Sequence, residues 1–519
     1  MNSAQNQALA TPDLLYCIFD ALSHGQIAQV LGVNQLFFRV GTPAIWGSLK
    51  GLEPLFSLLR FNSLPPLPAN SWVVVSLNKD EVKAGMPRFM LYACLVQKVQ
   101  AYRNSSRGYR WRGLCHLDPY TPLLPHMREL SIKWRSDRAH SAGFGDLVSL
   151  LCGNECTTIR AHSYADCSIP WMTTIHSSRA LAALQNCATS LTTLDFFVKA
   201  DVPSLDEWAL LATCLQDMKA LSCLGLGVDT LSKQVLAALG QLPSLRLLTM
   251  RFHQLARIDL QDLKIPSSWF QQLNSLAIYS VSAENLFYLL RQRPLISGLQ
   301  SLFLDITAGS RIDHHLEQVL QILCSHAPGL HTLEICFPDR GEDAYEVQSQ
   351  DLMPILSRLP LKKLALQNVY ISDDETFETF ILGCMTWRNS MTHFLMPCQI
   401  VTPFGLQALA RFSALKVLSV NLDEDSPIPG VDFTEPPINP GTLRLESHFL
   451  LSQMLPDEVE ALAWFLLSCW DDVTPAMTRL PLDQAEQKDR LDYWVYHGLL
   501  CKLAEIKRRK PSEDTATWR

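Results

Sequence analysis

What this sequence lacks excludes more than what it contains. It holds no Gly-rich loop ending in Lys-Ser or Lys-Thr, no G-x-S-x-G, no H-E-x-x-H and no G-x-G-x-x-G. The short motifs that cradle phosphates, strain a nucleophile, activate a zinc-bound water or bind a dinucleotide are therefore missing. No enzyme with its own active site is expected, and neither catalytic residues nor a cofactor are assigned. A basic excess is also missing, since 44 Lys and Arg face 51 Asp and Glu for a formal net charge of −7. Proteins that neutralise phosphate backbones carry the opposite balance, so no nucleic acid is expected as a partner. No long apolar run occurs either. The most apolar stretch, ALAWFLLSCW at 461–470, is about half of the roughly 20 residues that span a bilayer, so no membrane is expected. The opening MNSAQNQALATPD has neither the cationic start nor the apolar centre of a secretory signal.

The 15 cysteines include no C-x-x-C pair. In a chain without a secretory signal, that usage reads as reduced thiols in the cytoplasm or nucleus. The tightest group is Cys152, Cys156, His162 and Cys167, whose spacing matches no common zinc finger. Cys156 falls on an apolar repeat position, so buried thiols are the expectation and no metal is assigned. In IDHH at 312–315, Asp313, His314 and His315 are consecutive and cannot converge from one helix. An aspartate capping a helix start accounts for that stretch.

What is present is a repeat. An apolar residue, two others, an apolar residue, one other and an apolar residue begin at Met127, Cys156, Leu191, Leu221, Leu245, Leu273, Leu299, Leu330, Leu361, Met391 and Leu415. Successive starts lie 24 to 35 residues apart, near the upper end of the leucine-rich-repeat range. Between them, 205–215, 233–242, 284–292 and 316–326 carry apolar residues at helical spacing. Pro243, Pro294, Pro328 and Pro360 follow and punctuate the return to strand. The expected fold is α/β: a solenoid with a parallel inner sheet and a helical outer face. Asn or Cys is the consensus just after each strand, but Arg135, Lys199, Asp229, His253, Val281 and Pro338 stand there. An asparagine ladder is therefore not expected, and helix-to-helix packing is expected to carry the stacking.

Residues between and just after the inward leucines should face the concave side. Phe197, Arg251, Tyr279, Phe303, Asp305 and Glu334 are the candidates for binding a target protein there. The same reading places Lys363, His393 and Asn421 on that face. Both charge signs mixed with aromatics suit a protein partner better than a nucleic acid.

The N-terminal TPDLLYCIFDAL at 11–22 poses a different problem. Thr11 suits an N-cap and Pro12 a first helical turn, with Leu14, Ile18 and Leu22 at i, i+4 and i+8. Ile27, Val30, Leu31, Val33 and Phe37 follow, then PAIWGSL. A unit this small is expected to pack on something else. The order of Pro, paired Leu, Ile-Phe, Leu, then Ile, Val and Phe, then Pro-x-x-Trp resembles an F-box over about 39 residues. Thr11, Gln26 and Asn34 depart from the family pattern, in which Leu, an acid and Cys are common. With 88–102, 122–132 and 443–466, the chain resembles the F-box/leucine-rich-repeat proteins numerous in basidiomycete fungi. That resemblance implies a substrate receptor of a cullin–RING ubiquitin ligase. A Skp-family adaptor, and through it a cullin, would be partners, with Pro12, Leu14, Leu15, Ile18, Ile27 and Val30 touching the adaptor. For Phe19, Leu31 and Trp46 internal packing is the expectation. The target protein is not legible. A non-catalytic repeat scaffold without a ligase is the other reading.

The expected layout is an F-box at 11–49, a linker and helical cap at 50–120, the repeats at 121–425, and a Pro-rich loop with a helical cap at 426–519. The Pro-rich 63–72 reads as a linker. Lys507–Lys510, KRRK, fits a nuclear-import signal or a cationic helix end equally well.

Overall fold

The computed structural model describes residues 9–60, 64–65, 72–103, 108–112, 122–134, 148, 150–163, 174–197, 205–227, 232–252, 264–307, 315–337, 345–371, 374–423, 426–429, 437–447, 456–477 and 499–506. Cys167, Asp313, His314, residues 338–344 and Lys507–Lys510 lie outside these residues, as do the side chains of His162 and Lys133. The chain divides into two compact units, 1–256 with 268–272, and 257–267 with 273–519.

The first unit opens with three helices, α1 (Pro12–Asp20), α2 (His24–Val30) and α3 (Gln35–Trp46). Each start has a local cause. Pro12 sits in the first turn of α1, where its missing N–H costs nothing. Ser23 and Gln26 close a capping box on α2, and the Asn34 side chain accepts from the Phe37 N–H at 2.9 Å to cap α3. Two of the three departures from the F-box pattern, Gln26 and Asn34, are thus helix-capping residues. Leu15, Phe19, Ile27, Phe37 and Val40 form a core between the helices, flanked by Val30 and Leu31. Phe19 meets Phe37 edge-on with ring centroids 5.7 Å apart, a favoured aromatic geometry. The three helices therefore bury a core of their own.

They also join the sheet directly. The strands of this unit are β1 (Ser48–Leu49), β2 (Trp72–Ser76), β3 (Lys98–Arg103), β4 (Gly108–Arg112), β5 (Glu129–Trp134), β6 (Thr158–Ser163), β7 (Thr193–Phe196), β8 (Cys223–Gly227) and β9 (Leu247–Arg251). The sheet runs β1-β3-β5-β6-β7-β8-β9, all parallel, and β2 pairs with β4 separately. The Trp46 ring packs against Tyr92, in helix Lys79–Ala93, with centroids 4.5 Å apart and planes tilted by 33°. Trp46 thus packs outside the three-helix core.

The second unit holds β10 (Ser275–Val281), β11 (Ser301–Ile306), β12 (Thr332–Cys336), β13 (Tyr345–Val347), β14 (Lys363–Gln367), β15 (Val369–Ile371), β16 (His393–Val401), β17 (Val417–Leu422), β18 (Asn439–Ser447) and β19 (Trp470–Met477). Its parallel sheet runs β10-β11-β12-β14-β16-β17-β18-β19, with β13 and β15 as a side pair. Parallel neighbours need a crossover, and helices such as Leu205–Asp217, Ala283–Leu290, His315–His326 and Pro403–Ala410 supply it.

Register explains why the frame repeats. The middle apolar residue of each frame pairs with the next: Leu130, Ile159, Leu194, Leu224 and Leu248 in the first unit, then Leu276, Leu302, Leu333, Leu364, Phe394 and Leu418 in the second. Every one is buried, so each column is a continuous hydrophobic spine. All eleven expected strands are present. The sheets extend further, with β1 and β3 before residue 121 and β18 and β19 after 425. Val96, Val99 and Ala101 repeat the frame with smaller side chains, and Val96 and Val99 are fully buried. The boundaries 50–120 and 426–519 therefore cut through repeat elements rather than around them.

Hydroxyl groups replace the absent asparagine ladder. Thr157, Thr192, Ser222 and Thr392 donate to the carbonyls of Arg128, Thr157, Thr192 and Lys362, one repeat earlier, at 2.9–3.1 Å. Those carbonyls also accept two backbone N–H groups each, as when Thr392 and His393 both donate to Lys362. Backbone and hydroxyl bonds therefore share the stacking with helix packing, since short hydroxyls reach a neighbouring turn that a strand start already holds close.

Candidate functional site

Two surfaces carry the candidate residues. On α1, Leu14 and Ile18 are one turn apart and 47% and 42% exposed, while Leu15 and Phe19 are buried. At about 100° per residue the exposed stripe lies roughly 100° around the helix from the buried one. Pro12 is also exposed and Val30 is partly covered. Leu15 at 0% and Ile27 at 2% exposure belong to the core rather than to a docking face. The sequence pattern marks these residues as apolar, but only packing separates the inward stripe from the outward one. Tyr16, Val33 and Phe38 are exposed as well, and no spacing rule singles them out. Among the described residues, six of the eleven exposed large apolar side chains fall within residues 9–38, so the exposed apolar surface is concentrated there.

The second surface is the sheet face opposite the buried leucines. In the first unit two candidates leave it. Phe197 is 3% exposed and Arg251 7%, so neither is offered to a partner. Phe197 folds over β8 because Gly225 leaves room. A Cβ there would lie 2.6 Å from the Phe197 ring and 2.8 Å from an Asp195 carboxylate oxygen. Arg251 sits at the end of β9 next to buried Phe252, where alternation no longer predicts the outward side.

The second unit keeps its candidates. Tyr279 and Phe303 meet with ring centroids 4.8 Å apart and planes tilted by 37°, half-buried. A bulge between Ile278 and Val281 sets Tyr279, and Ser280 there has φ 55°, a region non-glycine residues rarely enter. The Asp305 carboxylate accepts the Ser280 N–H at 3.1 Å. Asp305 therefore holds the bulge that presents Tyr279. Glu334 pairs with Lys363 across neighbouring strands at 2.8 Å.

Next to that pair stands His393, in register with Lys363. Burial holds its pKa below the ordinary value, and the positive charges of Lys363 and Lys416 add to the effect against Glu334 and Glu446. The Thr392 hydroxyl donates to the Lys362 carbonyl and lies 2.9 Å from His393 Nδ1. With its proton so engaged, the hydroxyl accepts from Nδ1–H, leaving Nε2 as the acceptor of the neutral ring. Lys416 is exposed.

Cys156 and Cys152 are buried with sulfurs 3.9 Å apart. Burial pushes the thiols of Cys187, Cys384 and Cys469 up to about 12 and Cys214 to about 11, which suppresses the reactive thiolate.

No model of a protein family matches the chain, and no curated protein matches it. Among solved structures it is similar to the leucine-rich-repeat-containing protein LegL7 from Legionella pneumophila, at 11% identity and TM-score 0.32, over 74% of this chain and 100% of that one. It is similar to the internalin InlF from Listeria monocytogenes at 12% identity and TM-score 0.28, over 82% and 89%. TLR13 in its complex with ssRNA13 gives 11% and 0.32, over 76% of this chain and 61% of that one. The leucine-rich-repeat architecture itself rests on the strand register and the buried columns described above.

Proposed function

We propose that the chain is a non-enzymatic substrate receptor of a cullin–RING ubiquitin ligase, acting in the cytoplasm or nucleus. In this reading the three-helix unit docks a Skp-family adaptor and the repeats hold the protein to be ubiquitylated. The observation that carries it is the exposed Leu14–Ile18 stripe on a unit whose own core is complete. Exposed apolar clusters on folded units mark interaction sites. The F-box resemblance of residues 11–49 names the occupant. Among the described residues no helix is long and apolar enough to cross a membrane.

Titration calorimetry of the full chain against the adaptor from its host tests the reading. Binding at micromolar concentration or tighter is the expected result. Absence of binding there replaces it with a repeat scaffold that has no ligase attached.

A further inference from the structure

We propose that the open sheet face of the second unit takes an extended acidic peptide segment, with an aromatic or large apolar side chain on the Tyr279–Phe303 pair and an aspartate or glutamate against Lys363, His393 and Lys416. This rests on the reading of that face as the target-binding surface, and it adds the chemistry of the target. At the apolar end, two half-buried rings 4.8 Å apart are held in place by the Asp305 bond to the Ser280 backbone. Such pre-organised aromatics bind with little ordering cost. At the charged end, Lys363 and Lys416 both bear on His393. Glu334 answers Lys363 and Arg444 answers Glu446, while among the described residues Lys416 makes no ion pair. The cluster is thus one negative charge short, beside the half-buried His393 ring. A carboxylate completes it. A nucleic acid does not fit, because Glu334 and Asp305 would face its phosphates.

The geometry also sets the spacing. From Phe303 on β11 to His393 on β16 there are three strand intervals and a two-residue offset along the register. At about 4.8 Å per strand and 3.3 Å per residue, the separation is roughly 16 Å, or about five residues of extended peptide.

A random dodecapeptide library displayed on phage and selected on the full chain is the test, with enriched peptides resynthesised and titrated by fluorescence anisotropy. Enriched peptides should share an aromatic and an acidic residue about four to six positions apart. Changing that acid to its amide, Lys416→Gln, or Tyr279→Ser with Phe303→Ser should each weaken binding at least tenfold, the first two with unchanged melting temperature and the last with a cooperative melt retained. Adaptor binding by the same variants should be unchanged, which separates this test from that of the ligase reading. The proposal is overturned if enriched peptides lack an acid, show no preferred spacing, or ignore the face variants. It is also overturned if nothing is enriched, if only phosphoserine in place of the acid supports binding, or if an oligouridylate binds more tightly than the peptides.

Discussion

Replacing Leu14 and Ile18 together by alanine separates an outward stripe from an inward one. The two side chains are 47% and 42% exposed. Complete burial of such a side chain is worth about 1.5–3 kcal/mol, and roughly half of that is still to be gained when a partner covers it. The pair should therefore contribute about 1.5–3 kcal/mol to adaptor binding, a loss of roughly tenfold to 150-fold on truncation. The half already covered on folding is forfeited too, so the pair should cost at most about 1.5–3 kcal/mol of stability. Leu15→Ala is the matched control. Its side chain is 0% exposed, so the variant should lose about 2–5 kcal/mol of stability in the three-helix unit. Titration calorimetry against the adaptor and a chemical melt of each variant read the two effects independently. If Leu14→Ala with Ile18→Ala stays folded and binds with unchanged affinity, the stripe is not the docking face. If Leu15→Ala is as stable as the parent, the packing described for α1 is wrong.

Leu276→Asp, which puts a carboxylate into a column position 1% exposed, should unfold the second unit. A buried, unpaired charge costs more than the 5–15 kcal/mol that holds a domain, and a retained cooperative melt would refute the placement. His393 should titrate below the ordinary histidine value, chiefly from burial, and Lys416→Gln should raise its pKa. A lowered folded-state pKa means that the unfolded chain binds the proton more tightly. The contribution is therefore present above the unfolded value of about 6.5 and is lost as pH falls below it. Imidazole proton shifts followed by NMR check this, and a midpoint at or above the ordinary value contradicts it. With a thiol reagent, exposed Cys17, Cys94 and Cys501 should react in the native state, whereas Cys187, Cys384 and Cys469 should react only on unfolding. Native-state labelling of the latter three would show that their burial is not maintained.

The spine of the molecule is a local property, because a period-two strand frame recurring every 24 to 35 residues encodes both strand and register. The helix starts at Ser23 and Asn34 are equally local, since a cap acts within three residues of itself. The frame that starts at Val96 is less legible, because Val96 and Val99 fill their column with less bulk than leucine. Where alternation stops, so does legibility. Phe197 follows the last strand position of its repeat, and its burial depends on the missing side chain of Gly225, about thirty residues away.

By itself the sequence determined the class of fold, the positions of eleven strand frames and the apolar character of residues 11–49, all of which follow from spacing along one chain. Only the tertiary structure decided which leucine of the Leu14–Leu15 pair faces outward. It also decided that Asp305 holds backbone while Tyr279 and Phe303 meet, and that Lys363, His393 and Lys416 cluster. Those outcomes depend on distances between different strands and helices, and a linear pattern carries no information about them until the chain packs.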